Sequence, residues 1–400
     1  MKRFTFFVLI FLFLIQFNPV SSQHLPQVTL SDSAKVSLLT CSQGEELYSI
    51  FGHSAIRVTD PLIGIDWVFN YGTFDFSDPN FYPNFVKGKL NYILSVSTFE
   101  NFEFSYILED RFIYEQDLNL QQFEKQKLLD SLRVNYFPEN RYYLYDFLYD
   151  NCATRIRDIF IETIPRQVDF DYSTLGKSKS FRELLMPNVK EKPWAKLGIN
   201  LLLGVKADKK AAHWEYMFLP DHMLIAFQNA YFSSEEGLIP FAQEPKMILE
   251  GKVISTNQFR NSPFIVFMLV LFSAILITFF NIKWQRIKWQ RINWFYDRML
   301  FGVTGILGIV LFFQWFGSDH IVMSNNFNII WANPFHLIIS FLISINAFKK
   351  FIKYYFGVNM ILMLLLLVLW FVIPQSLPLP MIPFVGALAL RSAVIYKLNR

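Results

Sequence analysis

The sequence predicts an α+β domain whose thiol site has a permuted papain-like order, followed by an all-α domain of five transmembrane helices. Three observations carry this. The chain opens on a charged and then apolar leader, its composition changes abruptly after residue 260, and a cysteine in Asp150-Asn151-Cys152-Ala153-Thr154-Arg155 is preceded far upstream by a histidine in Phe51-Gly52-His53-Ser54. Papain-type pairs run cysteine first. The reversed order points to a circularly permuted thiol site, a layout often used to move acyl groups.

The leader is Met1-Lys2-Arg3, an apolar run to Phe17, and Asn18-Pro19-Val20-Ser21-Ser22. Its charge, length and small-residue end are those of a secretory signal peptide over residues 1–22, cleaved after Ser22. The apolar run is short for a retained anchor. Only two cysteines, Cys41 and Cys152, occur in a chain of 400 residues, so the exported part has no disulfide framework. Leu38-Leu39-Thr40-Cys41 lacks an apolar region directly before it and is not a lipidation box; Cys41 reads as a packing residue at a strand end. The formal charge of +4 is modest and the clustered basic residues adjoin apolar runs, which excludes nucleic acid as a partner.

Residues 23–260 intersperse charged with apolar residues and contain no run able to cross about 30 Å of hydrocarbon. This is the thiol domain. In residues 261–400 five apolar runs follow, at 263–281, 299–316, 333–348, 358–373 and 381–396. Lys283, Arg286, Lys288, Arg291 and Arg298 separate the first two, Lys349, Lys350 and Lys353 the third and fourth, and Lys397 and Arg400 follow the fifth. Alternating spans put all these cations on one side, and loops 317–332 and 374–380 carry almost none. The positive-inside rule then places the thiol domain outside the cytoplasm, in agreement with the leader. Lys283-Trp284-Gln285-Arg286-Ile287 repeats at once as Lys288-Trp289-Gln290-Arg291-Ile292, a pattern of cations and Trp that suits an interfacial anchor.

In the thiol domain, residues 54–58 and 65–71 alternate as strands around the turn Asp60-Pro61-Leu62-Ile63-Gly64, and residues 86–97 are expected to add another strand. Residues 121–135 have helical spacing. Asn151 or Asp150 can cap a helix through Ile156, Ile159 and Phe160, which puts Cys152 in its first turn and His53 at a strand start. A helix N-terminus favours the thiolate, the nucleophilic form, and a neighbouring imidazole completes the activation. Asn70 and Tyr71, with Asp66 behind them, are the candidates to orient the imidazole. Asn151, Arg57, Arg155 and, in the loop before the third span, His320 are the candidate substrate-binding groups. His213 and His222 lack a third ligand at metal-type spacing, so no metal or cofactor is expected. Arg391, inside the fifth apolar run, is expected to snorkel to the nearby cytoplasmic surface.

Phe51-Gly52-His53-Ser54-Ala55-Ile56-Arg57, Asn70-Tyr71-Gly72-Thr73-Phe74-Asp75-Phe76, Pro138-Glu139-Asn140-Arg141-Tyr142, the Cys152 segment through Asp158, and Met217-Phe218-Leu219-Pro220 together resemble the Lnb family of Bacteroidetes-type membrane proteins. The likeness extends over nearly the whole chain, including Ser318-Asp319-His320. It implies a lipoprotein N-acyltransferase in the bacterial cytoplasmic (inner) membrane, its periplasmic domain related to permuted NlpC/papain-like and lecithin:retinol acyltransferase-like thiol enzymes. Cys152 would be the nucleophile and His53 the base, with a membrane phospholipid as acyl donor and a diacylated lipoprotein as acceptor. Where such relatives place a second His as orienter, this chain offers Asn70 or Tyr71. A membrane-tethered cysteine peptidase or amidase acting on cell-wall peptide would use the same pair, and a non-catalytic lipid-binding protein would need neither residue.

Overall fold

The computed structural model describes residues 25–398 apart from 47, 75–77, 235–236, 253–258, 260 and 285–286. The leader at 1–22 and the centre of the Lys-Trp-Gln-Arg-Ile repeat therefore lie outside the described residues.

The first domain contains strands β1 (Lys35–Cys41), β2 (His53–Asp60), β3 (Ile65–Thr73), β4 (Asn91–Thr98), β5 (Ile113–Asp117), β6 (Tyr142–Leu144), β7 (Val168–Phe170), β8 (Ala230–Ser234), β9 (Gly237–Pro240) and β10 (Lys246–Leu249). Its helices are α1 (Phe81–Lys87), α2 (Phe99–Leu108), α3 (Gln122–Tyr136), α4 (Cys152–Thr163), α5 (Phe181–Leu185), α6 (Pro193–Leu202) and α7 (Pro220–Gln228). Seven strands form one antiparallel sheet in the order β10-β5-β1-β2-β3-β4-β6, and β7-β8-β9 form a smaller one. The expected hairpin is β2-β3, closed by the Asp60↔Ile65 pair with Gly64 at φ 68°. The strand expected over 86–97 splits: α1 runs into Lys87, Gly88 ends it in the left-handed region at φ 70°, and pairing begins only at Asn91.

Alternation along the strands gives the large sheet two apolar faces. Val36, Leu38, Ile56, Val58 and Phe69 pack on Leu128, Leu129 and Leu132 of α3 and on Ile156, Ile159 and Phe160 of α4. Leu39, Cys41, Ala55 and Val68 face Phe102 and Tyr106 of α2. Each such fully buried side chain contributes about 1.5–3 kcal/mol, so the sheet's central strands are the most stable place in the fold from which to present a side chain.

The second domain is helical: α8 (Ser262–Trp284), α9 (Ile287–Phe316), α10 (Phe335–Leu342), α11 (Lys349–Val368) and α12 (Ile382–Leu398). Among the described residues four helices are long and apolar enough to cross a membrane, and a shorter apolar helical stretch, Phe327–Leu342, covers the start of the third expected run. The third run instead yields α10, whose eight residues rise only about 12 Å. Its start lies close to the expected one, where Asn333 Oδ1 accepts from the Phe335 N–H at 2.9 Å, but the helix ends at Leu342 although the apolar run continues to 348. This segment nonetheless links opposite ends of the bundle. Asn328 bonds to Leu201 of the first domain, while Ile343, Ser344 and Asn346 border a cleft shared with Asn281 and Lys397.

Arg391 does not snorkel. It is 0% exposed, forms a bidentate pair with Asp297 of α9 at 2.7 and 2.9 Å, and donates to Thr278 of α8 at 2.6 Å and to Asn293. Neutralising the charge inside the bundle by a planar fork with additional hydrogen bonds is the alternative to carrying it to water.

The domains meet where α6 ends. The last carbonyls of a helix have no intrahelical donor. Here Asn326 Nδ2 donates to Leu201 O (2.7 Å) and Leu202 O (3.0 Å), Asn328 Nδ2 to Leu201 O (3.2 Å), and Gln375 Nε2 to Leu203 O (3.0 Å). Backbone bonds from Gly204 to Val322 and from Val205 to Asn325 extend the junction. A second contact joins α1 to the loop after α9: His320 Nε2 bonds to Phe85 O at 2.8 Å, and the Asp319 N–H donates to Lys87 O.

Candidate active site

Cys152 is the first residue of α4, and Asn151 is its N-cap. The Asn151 Oδ1 accepts from the Ala153 and Thr154 N–H groups at 2.9 Å each, and Thr154 Oγ1 accepts from the Asn151 N–H at 2.7 Å. The cap is anchored in turn, since Asn151 Nδ2 donates to Phe147 O and Phe218 O at 2.9 Å each. The Met-Phe-Leu-Pro segment thus holds the cap that holds the cysteine.

His53 opens β2 opposite Cys41 of β1. Gly52 before it sits at φ 79°, and a Cβ there would lie 2.9 Å from the Cys41 carbonyl oxygen, so only glycine lets the chain enter the strand along this path. The His53 imidazole interacts with the Cys152 thiol by charge and hydrogen bond, and its Nε2 lies 2.6 Å from Asn70 Oδ1 on β3. An imidazolium donates from both nitrogens, so the Asn70 carbonyl oxygen accepts and the thiolate accepts the other proton.

Electrostatics distinguish the two cysteines. Burial alone would raise the Cys152 thiol, but the adjacent His53 charge, its hydrogen bond, and the Ser54 and Ala153 N–H groups outweigh it and hold the thiol below its ordinary value. For His53 burial acts downward and is outweighed by the Cys152 charge and the bonds to Cys152 and Asn70, leaving the imidazole raised. The two shifts describe one thiolate–imidazolium pair whose titration is shared. Cys41, wholly buried, is pushed up to about 12 by desolvation and is inert.

The other expected residues are occupied elsewhere. The Tyr71 hydroxyl accepts from Asn135 Nδ2 at 2.9 Å rather than meeting the imidazole. Arg57 forks onto Asp66 at 2.8 Å twice, reaches Glu115, and covers the Phe99 ring, a set of contacts that ties strands and α2 together. Arg155 is bidentate to Asp150 at 2.5 and 2.7 Å. Asn151 spends its amide on the cap, and His320 spends its Nε2 on Phe85. Arg57, Arg155, Asn151 and His320 each already have a polar partner within the protein.

Gly72 was not singled out, although a glycine inside a strand signals a bulge or a close backbone approach. It sits at φ 90°, where the β3–β4 register shifts, and the space its missing side chain leaves is bounded by Cys152 Cβ (3.4 Å), His53 Cε1 (3.7 Å) and Tyr143 Oη (4.0 Å). The cysteine itself is 9% exposed. Two clefts, of about 490 Å³ beside Lys190, Leu197 and Leu377 and about 610 Å³ beside Asn281, Asp297 and Lys397, do not border Cys152.

An aromatic series leads from the thiol toward the bundle: Tyr143 to Tyr92 (6.3 Å), Tyr92 to Phe74 (5.4 Å), Phe74 to Phe81 (5.5 Å), and Phe81 to Phe85 (6.3 Å), which meets His320. Tyr82, Phe85 and Val86 of α1 are exposed beside this junction.

Comparison with family models matches residues 23–185 to the Lnb N-terminal periplasmic domain and residues 254–400 to the Lnb transmembrane domain. No curated protein and no solved structure matches the chain. The two matches follow the two domains of the fold, in the same order and over most of the length. A multi-pass membrane bundle carrying a periplasmic, sheet-rich domain is what both describe, and the chain belongs to the Lnb family.

Proposed function

We propose that the protein is a lipoprotein N-acyltransferase of the inner membrane that moves an acyl chain from a phospholipid to the N-terminal amine of a diacylated lipoprotein. The observation that carries this is the buried Cys152–His53–Asn70 arrangement on a domain fastened to a membrane bundle, with an aromatic path between them. A peptidase on cell-wall peptide would need an open polar groove at the thiol; the apolar, aromatic surroundings favour a lipid ester.

In the first half-reaction the Cys152 thiolate attacks the ester carbonyl. The tetrahedral intermediate collapses, the C–O bond to the glycerol oxygen breaks, and the His53 imidazolium gives that oxygen its proton, leaving a thioester and a lysophospholipid. The amine of the acceptor then attacks the thioester carbonyl. His53, now neutral, takes the amine proton, the C–S bond breaks, and the amide leaves the thiolate–imidazolium pair restored. An α-amine has an ordinary pKa of about 7.7–8.0, so a useful share is neutral near pH 7. Asn70 keeps the ring oriented through both steps.

Mass spectrometry of lipoprotein N-termini from cells carrying full-length Cys152→Ala is expected to show loss of the third acyl chain. Unchanged N-acylation refutes the assignment, and altered cell-wall muropeptides in its place would establish the peptidase.

A further inference from the structure

A tetrahedral intermediate carries a full charge on the former carbonyl oxygen, and two donors usually receive it. Asn151 caps the Ala153 and Thr154 N–H groups of α4, which leaves the first N–H of the helix, that of Cys152 itself, as one donor. A second is needed from across the site. Asn70 is bonded to His53, Tyr71 accepts from Asn135, and Arg155 is held by Asp150.

Tyr143 is different. It lies at the centre of β6, paired with Tyr92 of β4, and is 7% exposed, yet its hydroxyl has no hydrogen-bond partner among the described residues. A buried hydroxyl without a partner is costly, so groups of this kind mark places where a ligand completes the bonding. The hydroxyl borders the vacant space over Gly72, the same space that Cys152 Cβ and His53 Cε1 border, and a side chain at residue 72 would fill it. The ring cannot turn away: the Arg155 guanidinium lies 4.0 Å above its centroid, and Tyr71 and Tyr92 pack against it at 6.3 Å each. Asp150 fixes that guanidinium, whose positive charge draws electron density from the phenol and strengthens the O–H as a donor. Burial, and then the nearby Cys152 thiolate, raise the Tyr143 phenol well above its ordinary value, so it keeps its proton to donate.

We propose that Tyr143 Oη–H is the second oxyanion donor, acting with the Cys152 N–H on a carbonyl oxygen lodged over Gly72. This rests on Cys152 as an acylating nucleophile, but not on the identity of donor or acceptor lipid. Arg155 and Asp150 are then positioning residues, and Gly72 is the vacancy that admits the oxygen.

The test compares two reactions of the same thiol in full-length protein in detergent. Acylation by a p-nitrophenyl ester passes through an oxyanion; alkylation by iodoacetamide displaces iodide and does not. Tyr143→Phe keeps the ring and its packing. It should slow formation of the Cys152 acyl-enzyme, followed by intact mass, by roughly 10²-fold or more, with the alkylation rate unchanged. Gly72→Ala should impair acylation in the same selective way. Acylation unaffected by Tyr143→Phe overturns the proposal, as does alkylation slowed in equal measure, which would mean that Tyr143 acts on the thiolate. These outcomes are separate from the cellular assay: lipoproteins N-acylated without Cys152 refute the transferase reading and leave the acyl-enzyme comparison standing.

Discussion

Asn70→Ala tests whether the imidazole is held charged by its hydrogen bond as well as by the thiolate. The His53–Asn70 bond is 2.6 Å, short for N–H···O and in keeping with a charged donor. A bond from a charged donor contributes about 1.5–3 kcal/mol and a neutral one about 0.5–1.5. Neutral imidazole can also donate from Nε2, so only the difference, about 1–1.5 kcal/mol, acts on protonation. At about 1.4 kcal/mol per decade this lowers the thiolate–imidazolium population near neutrality roughly five- to tenfold. The sign follows from the paired shifts. Cys152 is lowered, so thiolate is lost only when the pH falls through that depressed value; weakening the imidazolium raises the value and moves the acid limb toward alkaline pH. The assay is the iodoacetamide alkylation rate of Cys152 against pH, with Cys41 silent because burial pushes it to about 12. Asn70→Asp should move the limb the other way, since a carboxylate stabilises the imidazolium. An acid limb that stays in place in Asn70→Ala, or moves the same way in both variants, refutes the reasoning.

Acyl transfer by the unaltered protein should be bell-shaped with pH: the acid limb falls below the ordinary thiol range as Cys152 protonates, and the alkaline limb falls above the ordinary histidine range as His53 loses its proton. A monotonic profile of kcat/KM would contradict the ion pair. Cys41→Ser should leave transfer intact, and iodoacetamide near pH 8 should label one thiol per chain, Cys152, by peptide mass spectrometry. Arg391→Ala strands Asp297 in the bundle and should cost about 3–5 kcal/mol, read as a shortened half-life in detergent; Arg391→Met with Asp297→Leu should recover much of it. Gly204→Ala places a methyl where Ser324 O stands 1.9 Å away, and should expose the domain junction of the full-length protein to limited proteolysis while its helical circular dichroism is retained.

Local chemistry explains what was legible. Asn151 before a periodic apolar stretch announces a cap, and a cap places Cys152; Pro61 and Gly64 announce a turn, and the turn pairs β2 with β3, bringing Asn70 to His53. Hydropathy found each described helix of the bundle but could not give the length of α10, because the run stays apolar beyond Leu342, where the helix ends. The intramolecular partners of polar side chains were not legible either. Arg57, Arg155, Asn151 and His320 stand beside the motifs, and a polar side chain next to a motif looks the same in sequence whether it meets a substrate or a neighbour. The same holds for Arg391, whose partner Asp297 comes from another helix far along the chain. Tyr143 sits among Tyr142 and Tyr145, and nothing in that string shows which hydroxyl borders the space over Gly72.

The amide grip of Asn326, Asn328 and Gln375 on the end of α6 also fixes an altitude. Hydrogen bonds at this junction oppose any dipping of the domain toward the bilayer and favour one height for its thiol over the leaflet. On the proposed function the substrates are anchored in that leaflet and reach the thiol by lateral diffusion, so saturation should follow their mole fraction in the membrane and be indifferent to diluting the vesicles in buffer. For such an enzyme surface density takes the place of concentration.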